Sequence, residues 1–329
     1  MEDKSYSYSE AILSAFEFLL ENYQEVFVIG QGLWSPWYVG NTMKNLDDKF
    51  GVDRIIDTPV SESACTGAAL GASLSGMRPI VVHPRMDFML YAVDAVVNEA
   101  AKWSYIFGGA SHPKLTIRAI INRGGEQGAQ HSQALHSWFA HIPGLRVVMP
   151  STVQDARDLL ISSVLCDDPV LYIDDRWLYE KEEILPPIKQ IALKDVRPRY
   201  LRKGDDLTIV AAGFSAHLGI EAAKKVFDKD GVSCDVIDLR VINPFHSDLI
   251  NESVKKTGNL LVIDGGWKTC GLSSEVLASI YEKVEIKNLN KNARRITLKN
   301  TPAPTASNLE KCYYPDLDLI IENIRNIVI

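Results

Sequence analysis

Apolar residues recur along the first half of the chain at two spacings, one typical of amphipathic helices and one of short buried strands. The helical spacing is clearest at residues 7–23, where five apolar side chains share one face: Ile12, Leu13, Phe16, Leu19 and Leu20. Further helices are predicted at 65–76, 87–109 and 151–168. Short apolar runs predict strands at 25–30, 54–62, 78–83, 114–122, 145–150 and 169–174. The alternation predicts a largely parallel sheet with helices on both faces.

The periodicity is lost between residues 178 and 206, where prolines and charged residues replace the apolar pattern. We interpret 181–205 as a linker with an extended strand, joining a domain at 1–180 to a smaller domain at 206–329. In the second domain, strands are predicted at 207–213, 233–242, 259–266 and 294–300. Helices are predicted at 215–231, 246–258, 271–284 and 315–328. The sequence therefore predicts an α/β protein with two doubly wound domains.

Composition and charge narrow the possible functions. The net charge is −7 and there is no long basic run, which argues against nucleic acid as a partner. No apolar run reaches the ~18 residues of a membrane span, and the N-terminus does not resemble a signal peptide. The five cysteines show no CxxC spacing. We therefore expect reduced thiols, no zinc framework and a cytoplasmic location.

The sequence contains neither of the glycine-rich motifs that cradle phosphates at the start of a helix. No GxGxxG follows a predicted strand, and GxxxxGK[ST] is absent. The segment RGGEQGAQ at 123–130 has three glycines at another spacing. That spacing is equally consistent with a flexible loop beside a site and with a plain turn. We therefore expect that neither domain binds the phosphate groups of a cofactor by itself.

Glu62 stands at the end of a predicted strand, directly before a helix rich in alanine, glycine and serine. One interpretation is an acid in the first helical turn, which stabilises the helix dipole by about 0.3–1 kcal/mol. The other is a carboxyl group held at the mouth of a buried segment for chemistry, because an unpaired acid there is costly. Spacing alone favours the first interpretation.

Three histidines follow the glycine-rich segment, in AQHSQALHSWFAHIPGL. His131 lies among hydrogen-bonding side chains, where an imidazole can reach a substrate and exchange a proton near neutral pH. His136 and His141 are five residues apart, a poor spacing for one metal on a helix face, and we interpret both as structural. Phe88 belongs to the predicted helix 87–109, and its pattern alone indicates a core residue.

Five segments together carry a resemblance that covers nearly the whole chain, from about residue 7 to the last helix. They are RIIDTPVSE, GAALGASLSGMRPIV, AVDAVVNEAAK, AQHSQALHSWFAHIPGLRVVMPSTVQDARDLL and SCDVIDLRVINPF. In these segments the chain resembles the β subunit of the E1 component of 2-oxoacid dehydrogenases of the pyruvate, branched-chain and acetoin types. The family belongs to the transketolase-like superfamily. The resemblance implies a pyrimidine-binding domain followed by a transketolase C-terminal domain.

The resemblance also implies a cofactor, thiamine diphosphate, bound between this chain and an α subunit. In the family the α subunit holds the diphosphate and its Mg²⁺ through a GDG…N motif, and this chain contains no such motif. The chain should therefore hold only the aminopyrimidine half of the cofactor, bind no metal itself and be inactive alone. With a second β chain it should form an α₂β₂ assembly, and a lipoyl E2 protein is a candidate further partner.

Residue roles are implied by the matched positions. Glu62 matches the glutamate whose carboxyl group hydrogen-bonds the pyrimidine N1′ and so activates the cofactor. Phe88 matches the aromatic residue that stacks on the pyrimidine, and Met86 is expected in the same cofactor-binding segment. His131 matches the histidine assigned to proton transfer or to acyl transfer onto the lipoyl group. The resemblance thus reverses the interpretation of Glu62, which becomes a catalytic acid.

Several positions depart from the pattern of the family. Gln31 stands where an acid is expected in a polar tunnel between the two cofactors, and glutamine cannot carry a proton as a carboxylate does. Asp94 keeps another tunnel position, whereas Tyr91 replaces a third that is often polar. Five more side chains are unusual for the family. Trp34, Trp37 and Tyr38 lie in IGQGLWSPWYVGN, and His83 and Arg85 lie in HPRMDF. The departures leave open a substrate or an acceptor other than the standard ones.

Two other functions remain alternatives. The chain could be the C-terminal half of a split transketolase-like ketol transferase, but QHSQ stands where transketolases tend toward THQP. It could also be a lapsed subunit that serves assembly. The joint presence of Glu62, Phe88 and His131 argues against that alternative, while Gln31 argues mildly for it. Asp264 and Trp267, in VIDGGWKTCGLSSEV, are interpreted as interface or core residues.

Overall fold

The computed structural model describes residues 4–35, 37–285 and 289–329, and within them three β-sheets are formed. The strands are β1 (Ser5–Ser7), β2 (Val26–Gln31), β3 (Ile55–Thr58), β4 (Arg78–His83), β5 (Thr116–Ile121), β6 (Arg146–Val148), β7 (Val170–Asp175), β8 (Glu182–Ile184), β9 (Arg199–Arg202), β10 (Leu207–Ala211), β11 (Cys234–Asp238), β12 (Val241–Asn243), β13 (Leu260–Trp267) and β14 (Arg294–Leu298).

The α-helices of the described residues are α1 (Tyr8–Asn22), α2 (Leu46–Phe50), α3 (Glu62–Leu74), α4 (Ala101–Ile106), α5 (His136–Ala140), α6 (Val153–Val164), α7 (Phe214–Asp230), α8 (Asp248–Thr257), α9 (Leu272–Lys283), α10 (Ser307–Glu310) and α11 (Leu317–Val328). Three of the longer helices begin at side-chain caps, and at α11 the Asp316 carboxylate accepts the N–H of Leu319. Ser7 and Glu10 form a reciprocal capping box at α1, and Thr152 accepts the N–H of Asp155 at α6.

The first sheet has the strand order β12-β6-β7-β5-β4-β2-β3, and all of its pairs are parallel except β12 with β6. Both of its faces are buried, which explains the continuous apolar runs of its strands. On β5, Ile117 and Ile121 belong to one apolar cluster and Ile120 belongs to another. The parallel sheet covered on both faces confirms the fold predicted for the first half of the chain.

The second sheet has the order β14-β13-β10-β11-β9, and only its edge strand β9 is antiparallel. A third, two-stranded sheet pairs β1 with β8. The segment predicted as a linker therefore contains two strands. One of them, β8, pairs with the first strand of the chain, and the other, β9, extends the sheet of the second half.

Two predicted elements are broken in the structure. The helix predicted at 87–109 consists of a 3₁₀ segment (Phe88–Ala92), a π-helical segment (Ala95–Ala100) and α4. Segments of five or six residues are too short for their different helical repeats to appear in the apolar spacing. The strand predicted at 233–242 is divided into β11 and β12, because Arg240 adopts a positive φ of 62°. The turn sends β12 across to the first sheet, where it pairs with β6.

Candidate active site

A cavity opens at the carboxyl ends of β2, β3 and β4, beside the first turn of α3. In the sheet β2 lies between β3 and β4, and parallel α/β sheets bind ligands at such points where the strand order reverses. The cavity encloses about 390 Å³ of empty space, including the part that is open to solvent. Its walls are formed by Gly30, Gln31, Tyr38, Thr58, Ser61, Glu62, Cys65, Val81, Val82, His83, Pro84, Arg85 and Phe88.

Two glycines allow the strand ends to approach closely at this cavity. A Cβ atom on Gly30 would lie 2.4 Å from the carbonyl oxygen of Val82, so only glycine lets β2 and β4 pair here. Gly32 has a φ of 70°, and a Cβ there would meet the ring of Tyr38 at 2.2 Å. The side chain of Asp57 fixes this turn by accepting the N–H of Gly32 at 2.7 Å. The sequence pattern does not reveal this role of Asp57.

Glu62 is the first residue of α3, and its carboxyl group lines the cavity. The side chain is half-buried, and within the described residues it has no hydrogen-bond or ion-pair partner. Ser61, at the N-cap, makes no side-chain capping bond either. A half-buried carboxylate without a protein partner is available to a ligand. The position at the start of the helix satisfies both interpretations of Glu62, because the helix dipole favours the same charge there.

Phe88 lines the same cavity, and its ring contacts the imidazole of His131. The two ring centroids are 5.2 Å apart, and the ring planes meet at 85° in an edge-to-face contact. Phe88 is 36% exposed, so the core position indicated by pattern alone is wrong for its ring. His131 is not one of the residues that line the cavity on this chain. The structure thus places Glu62 and Phe88 in one cavity and brings His131 to it through the ring of Phe88.

Met86 lies beneath the cavity wall and does not line it. Its side chain is completely buried, and its Sδ atom accepts the N–H of Leu135 at 3.4 Å. The position does not support a direct contact between Met86 and a cofactor on this chain. Met86 instead supports the segment that follows His131.

Asp87 supports the same segment from the other side. Its Oδ1 atom accepts the N–H of Gln133 at 3.1 Å, while its Oδ2 atom is buried without a partner. Burial raises the pKa of the Asp87 carboxyl, and the contact with Gln133 partly opposes that shift. Asp87 is therefore a positioning residue for the His131 loop that the sequence pattern did not reveal.

The polar wall of the cavity includes an imidazole that stays neutral at physiological pH. His83 ends β4 and is 2% exposed, and burial lowers its pKa to about 4. Its Nε2 atom lies 3.3 Å from the hydroxyl oxygen of Thr66, one turn along α3 from Glu62. His83 thus adds a polar but uncharged surface next to the acid.

Gln31 and Tyr38 form a second polar wall. The Gln31 amide donates to the Tyr38 hydroxyl at 2.8 Å, and both side chains line the cavity. By contrast, Asp94 is exposed, and its carboxylate accepts from Asn98 at 2.6 Å. The departure from the family pattern at Gln31 therefore lies inside the candidate site itself.

The other two histidines of the QHSQ region have different positions. His136 is buried, and its Nε2 lies 2.9 Å from Oδ1 of Asp264, which joins α5 to β13. The bond to His136 lowers the pKa of Asp264 although burial opposes the shift. The structural interpretation of His136 and the core interpretation of Asp264 are confirmed. His141 is exposed, and its side chain forms no hydrogen bond, ion pair or ring contact with the described residues, so the structure does not support a structural role for it.

Two kinds of feature are absent from residues 4–35, 37–285 and 289–329. No cluster of three or more histidine, cysteine, aspartate or glutamate side chains has an arrangement that could hold a metal ion. No helix in this part of the chain has the length and apolarity needed to span a membrane.

Comparison with known proteins agrees with this geometry. The transketolase pyrimidine-binding domain model matches residues 4–181, and the transketolase C-terminal domain model matches residues 197–320. The mitochondrial pyruvate dehydrogenase E1 component subunit beta of Saccharomyces cerevisiae is 33% identical over 99% of this chain and 89% of its own length. The chain belongs to the family of E1 β subunits of 2-oxoacid dehydrogenases. As an E1 β chain it is part of an oxidoreductase that acts on an oxo group.

Other E1 β relatives come from bacteria. The acetoin:2,6-dichlorophenolindophenol oxidoreductase subunit beta of Cupriavidus necator is 38% identical over 83% of this chain and 79% of its own length. The pyruvate dehydrogenase E1 component subunit beta of Rickettsia felis is 33% identical over 97% of both chains. The predicted resemblance is confirmed, and the family includes both bacterial and mitochondrial proteins.

Solved structures confirm the fold of this E1 β chain. A split-gene transketolase, described as an inactive beta4 tetramer, superposes with a TM-score of 0.79 over 98% of each chain at 20% identity. The transketolase of Campylobacter jejuni gives a TM-score of 0.73 at 14% identity, over 98% of this chain and 47% of that one. At these identities the likeness concerns the fold alone.

Proposed function

We propose that this E1 β chain holds the aminopyrimidine half of thiamine diphosphate in the cavity between Glu62 and Phe88, and that an α subunit holds the diphosphate. The observation that carries the proposal is the partner-free carboxyl group of Glu62 in a cavity that Phe88 also lines. When bound, thiamine diphosphate supplies an electron sink for the reacting carbonyl carbon.

The lining of the cavity fits a heteroaromatic ring that has both apolar faces and polar edges. Val81 and Val82 give an apolar wall, and the half-exposed ring of Phe88 offers a face for stacking. Glu62 and the neutral His83 offer hydrogen-bonding groups at the edges. A diphosphate would find neither a glycine-rich cradle in the sequence nor a metal-binding cluster among the described residues. The fit is therefore to half of the cofactor.

Each of the three site residues has a distinct role in this proposal. Glu62 shares a proton with the pyrimidine N1′ and so increases the basicity of the amino group on the ring. Phe88 orients the ring by stacking and keeps water away from one face. His131, held edge-on by Phe88, exchanges a proton with the reacting group on the far side of the ring.

The proposed assembly is an α₂β₂ heterotetramer with paired β chains. Large apolar side chains are exposed in two regions of the described chain, one beside the cavity and one at the end of α4. They are Trp34, Trp37, Val60 and Tyr91 in the first region and Tyr105, Ile106 and Phe107 in the second. Apolar side chains clustered on a surface commonly mark contacts with other chains. Subunit names of the relatives imply an α partner. A lipoyl E2 protein remains a candidate acceptor.

The two alternatives have less support. The likeness to a split-gene transketolase rests on 20% identity, whereas the E1 β relatives reach 33–38%. A lapsed subunit would have no reason to keep a partner-free acid and an aromatic face in one cavity. We therefore retain catalysis as the function.

The test is co-expression of this chain with an α subunit that carries the GDG…N motif. Thiamine diphosphate binding, followed by quenching of intrinsic fluorescence, should require both chains, and light scattering should give the mass of a heterotetramer. The assembled enzyme should decarboxylate at least one 2-oxoacid with a dye as electron acceptor. Tight binding of the cofactor by this chain alone would overturn the division of the cofactor between two subunits.

A further inference from the structure

Two arginines beside the cavity lack acidic partners. Arg85 lines the cavity, and its Nη2 atom donates to the Gln127 amide oxygen at 2.9 Å. Arg176 follows β7, and its Nη2 atom donates to the carbonyl oxygen of Tyr38, another lining residue. Among the described residues, neither guanidinium has a carboxylate within ion-pair distance. Each Nε–H group is buried and unpartnered. A buried donor without an acceptor needs an explanation.

Most other buried or half-buried arginines of the described residues pair with a carboxylate. Those that contact an aspartate side chain are Arg78, Arg118, Arg123, Arg146, Arg157, Arg199, Arg240 and Arg325. Among carboxylates, Asp174 makes the largest contribution to the electrostatic environment of Arg176. Both oxygens of Asp174 are already bonded to Arg118, with distances of 3.0 and 2.7 Å. The region around Arg176 therefore has more positive than negative charge.

Both guanidinium groups lie next to Tyr38, since Arg85 lines the same cavity as Tyr38 and Arg176 donates to the Tyr38 carbonyl oxygen. Burial lowers the pKa of Arg176, and the positive charge of Arg85 lowers it further. Glu62 lines the same cavity as Arg85 but does not form an ion pair with it. Two neighbouring half-buried cations with free N–H donors form an environment that an oxyanion would stabilise, because guanidinium forks match carboxylate and phosphate geometry.

We propose that Arg85 and Arg176 bind a second anionic group of the substrate, a carboxylate or a phosphate that is retained through the reaction. The inference rests on the proposed function and narrows its substrate to 2-oxoacids that carry such a group. The carboxylate that leaves as carbon dioxide is a poor occupant of this position. Two cations would stabilise that carboxylate in the bound substrate. Because its negative charge moves toward the cofactor as carbon dioxide leaves, the cations would stabilise the transition state less and would slow the reaction.

The first test does not depend on turnover. Phenylglyoxal modifies accessible arginines, and peptide mass spectrometry identifies each modified residue in the assembled enzyme. Arg85 and Arg176 should be modified, and 2-oxoglutarate or inorganic phosphate should slow their modification at least fivefold. Arg202, whose Nε–H is likewise buried and unpartnered but which lies on β9 against Phe227, serves as the control and should not be protected. Protection by phosphate alone would identify a phosphorylated substrate. Absence of protection by either anion would overturn the proposal.

The second test is kinetic and uses the ratio of kcat/KM for 2-oxoglutarate to that for 2-oxobutyrate. Arg85→Met and Arg176→Met should each lower this ratio at least tenfold, mainly through KM, while Arg202→Met should leave it unchanged. If phosphate alone protects, competitive inhibition by phosphate replaces the ratio as the readout and should weaken tenfold in both variants. The anion site would be contradicted if, in both variants, the kcat/KM ratio and the inhibition constant for phosphate stayed within twofold of the wild-type values. Failure of the proposed function is distinguishable, because it would abolish cofactor binding without affecting protection of the arginines.

Discussion

The ring of Phe88 meets the imidazole of His131 edge-on, with centroids 5.2 Å apart and planes at 85°. Phe88 and Glu62 line the same cavity, so a single aromatic side chain touches both the proposed ring site and the proposed proton-transfer residue. Aromatic pairs of this geometry contribute about 0.5–1.5 kcal/mol beyond burial. In the proposed function, this contact would couple the position of the cofactor ring to the orientation of the His131 imidazole.

Substitution of the two rings should separate binding from chemistry. Phe88→Leu should raise the thiamine diphosphate concentration needed for half-maximal activity about tenfold, since it removes the stacking face. His131→Ala should lower kcat by about 10²–10⁴ and leave cofactor affinity nearly unchanged, as for loss of a general acid or base. Steady-state kinetics of the assembled enzyme measures both. Phe227→Leu, on α7 against Arg202, is the aromatic control. Equal effects of Phe88→Leu and His131→Ala on affinity would argue against separate roles.

Asp87 should act through the backbone of the His131 loop. Asp87→Ala leaves the N–H of Gln133 without its acceptor, which should lower the free energy of unfolding by about 1–3 kcal/mol. Asp87→Asn keeps an acceptor oxygen and removes a carboxyl group whose pKa is raised by burial. Urea denaturation at pH 7 should therefore find the asparagine variant as stable as the wild type or more stable. Equal losses in both variants would mean that the charge itself is needed.

Asp238 should make stability depend on pH. Burial and repulsion from Asp155 raise its pKa to about 7 in the folded protein. In the unfolded chain the pKa of an aspartate is about 3.9, so the folded state binds the proton more tightly. The free energy of unfolding therefore falls as the pH rises from the unfolded pKa to the folded pKa. Relative to the wild type, Asp238→Asn should gain about 1–3 kcal/mol of unfolding free energy between pH 5 and pH 8. Parallel stability curves for the two proteins would contradict the raised pKa.

Gly30 should tolerate no side chain. A methyl group there would collide with the carbonyl of Val82, and relief requires β2 and β4 to separate at the cavity. Gly30→Ala should destabilise the protein by about 1–3 kcal/mol, as overpacking does. Gly67 lies inside α3, and no atom lies within 4 Å of the place that a methyl group on it would take. Gly67→Ala should therefore stabilise the protein by about 0.4–1 kcal/mol. Thermal denaturation measures the Tm of both variants. Similar Tm values for Gly30→Ala and Gly67→Ala would contradict the close approach of β2 to β4 at Gly30.

The sequence predicts the parallel architecture well, because strands buried on both faces appear as short apolar runs between amphipathic helices. It does not predict where a run changes sheets. The run 233–242 is continuous in sequence, but the positive φ of Arg240 divides it between two sheets. It also does not reveal the π-helical segment that interrupts 87–109, since a single π-helical turn is too short to establish an apolar period of its own.

For the candidate site, the sequence points to Glu62 and Phe88 only when the resemblance is added to spacing. Its neighbours in the chain predict that Met86 contacts the cofactor, but neighbouring side chains of a segment can face opposite sides, and the Met86 side chain is buried in the core. The sequence does not reveal the roles of Asp57, Asp87 and Arg176, because these depend on contacts between residues far apart in the chain. An Arg after the paired aspartates of β7 was the one visible signal for Arg176.

The most direct test of the account is Glu62→Gln in the enzyme assembled with its α subunit. Thiamine diphosphate binding and oxidation of a 2-oxoacid are measured side by side, with wild type as reference. We expect the variant to keep the assembly and to bind the cofactor within about tenfold of wild type, because glutamine still offers a hydrogen bond. We expect kcat to fall by at least about 10²-fold, because an amide cannot share the proton. Turnover at the wild-type rate would contradict the central role of Glu62.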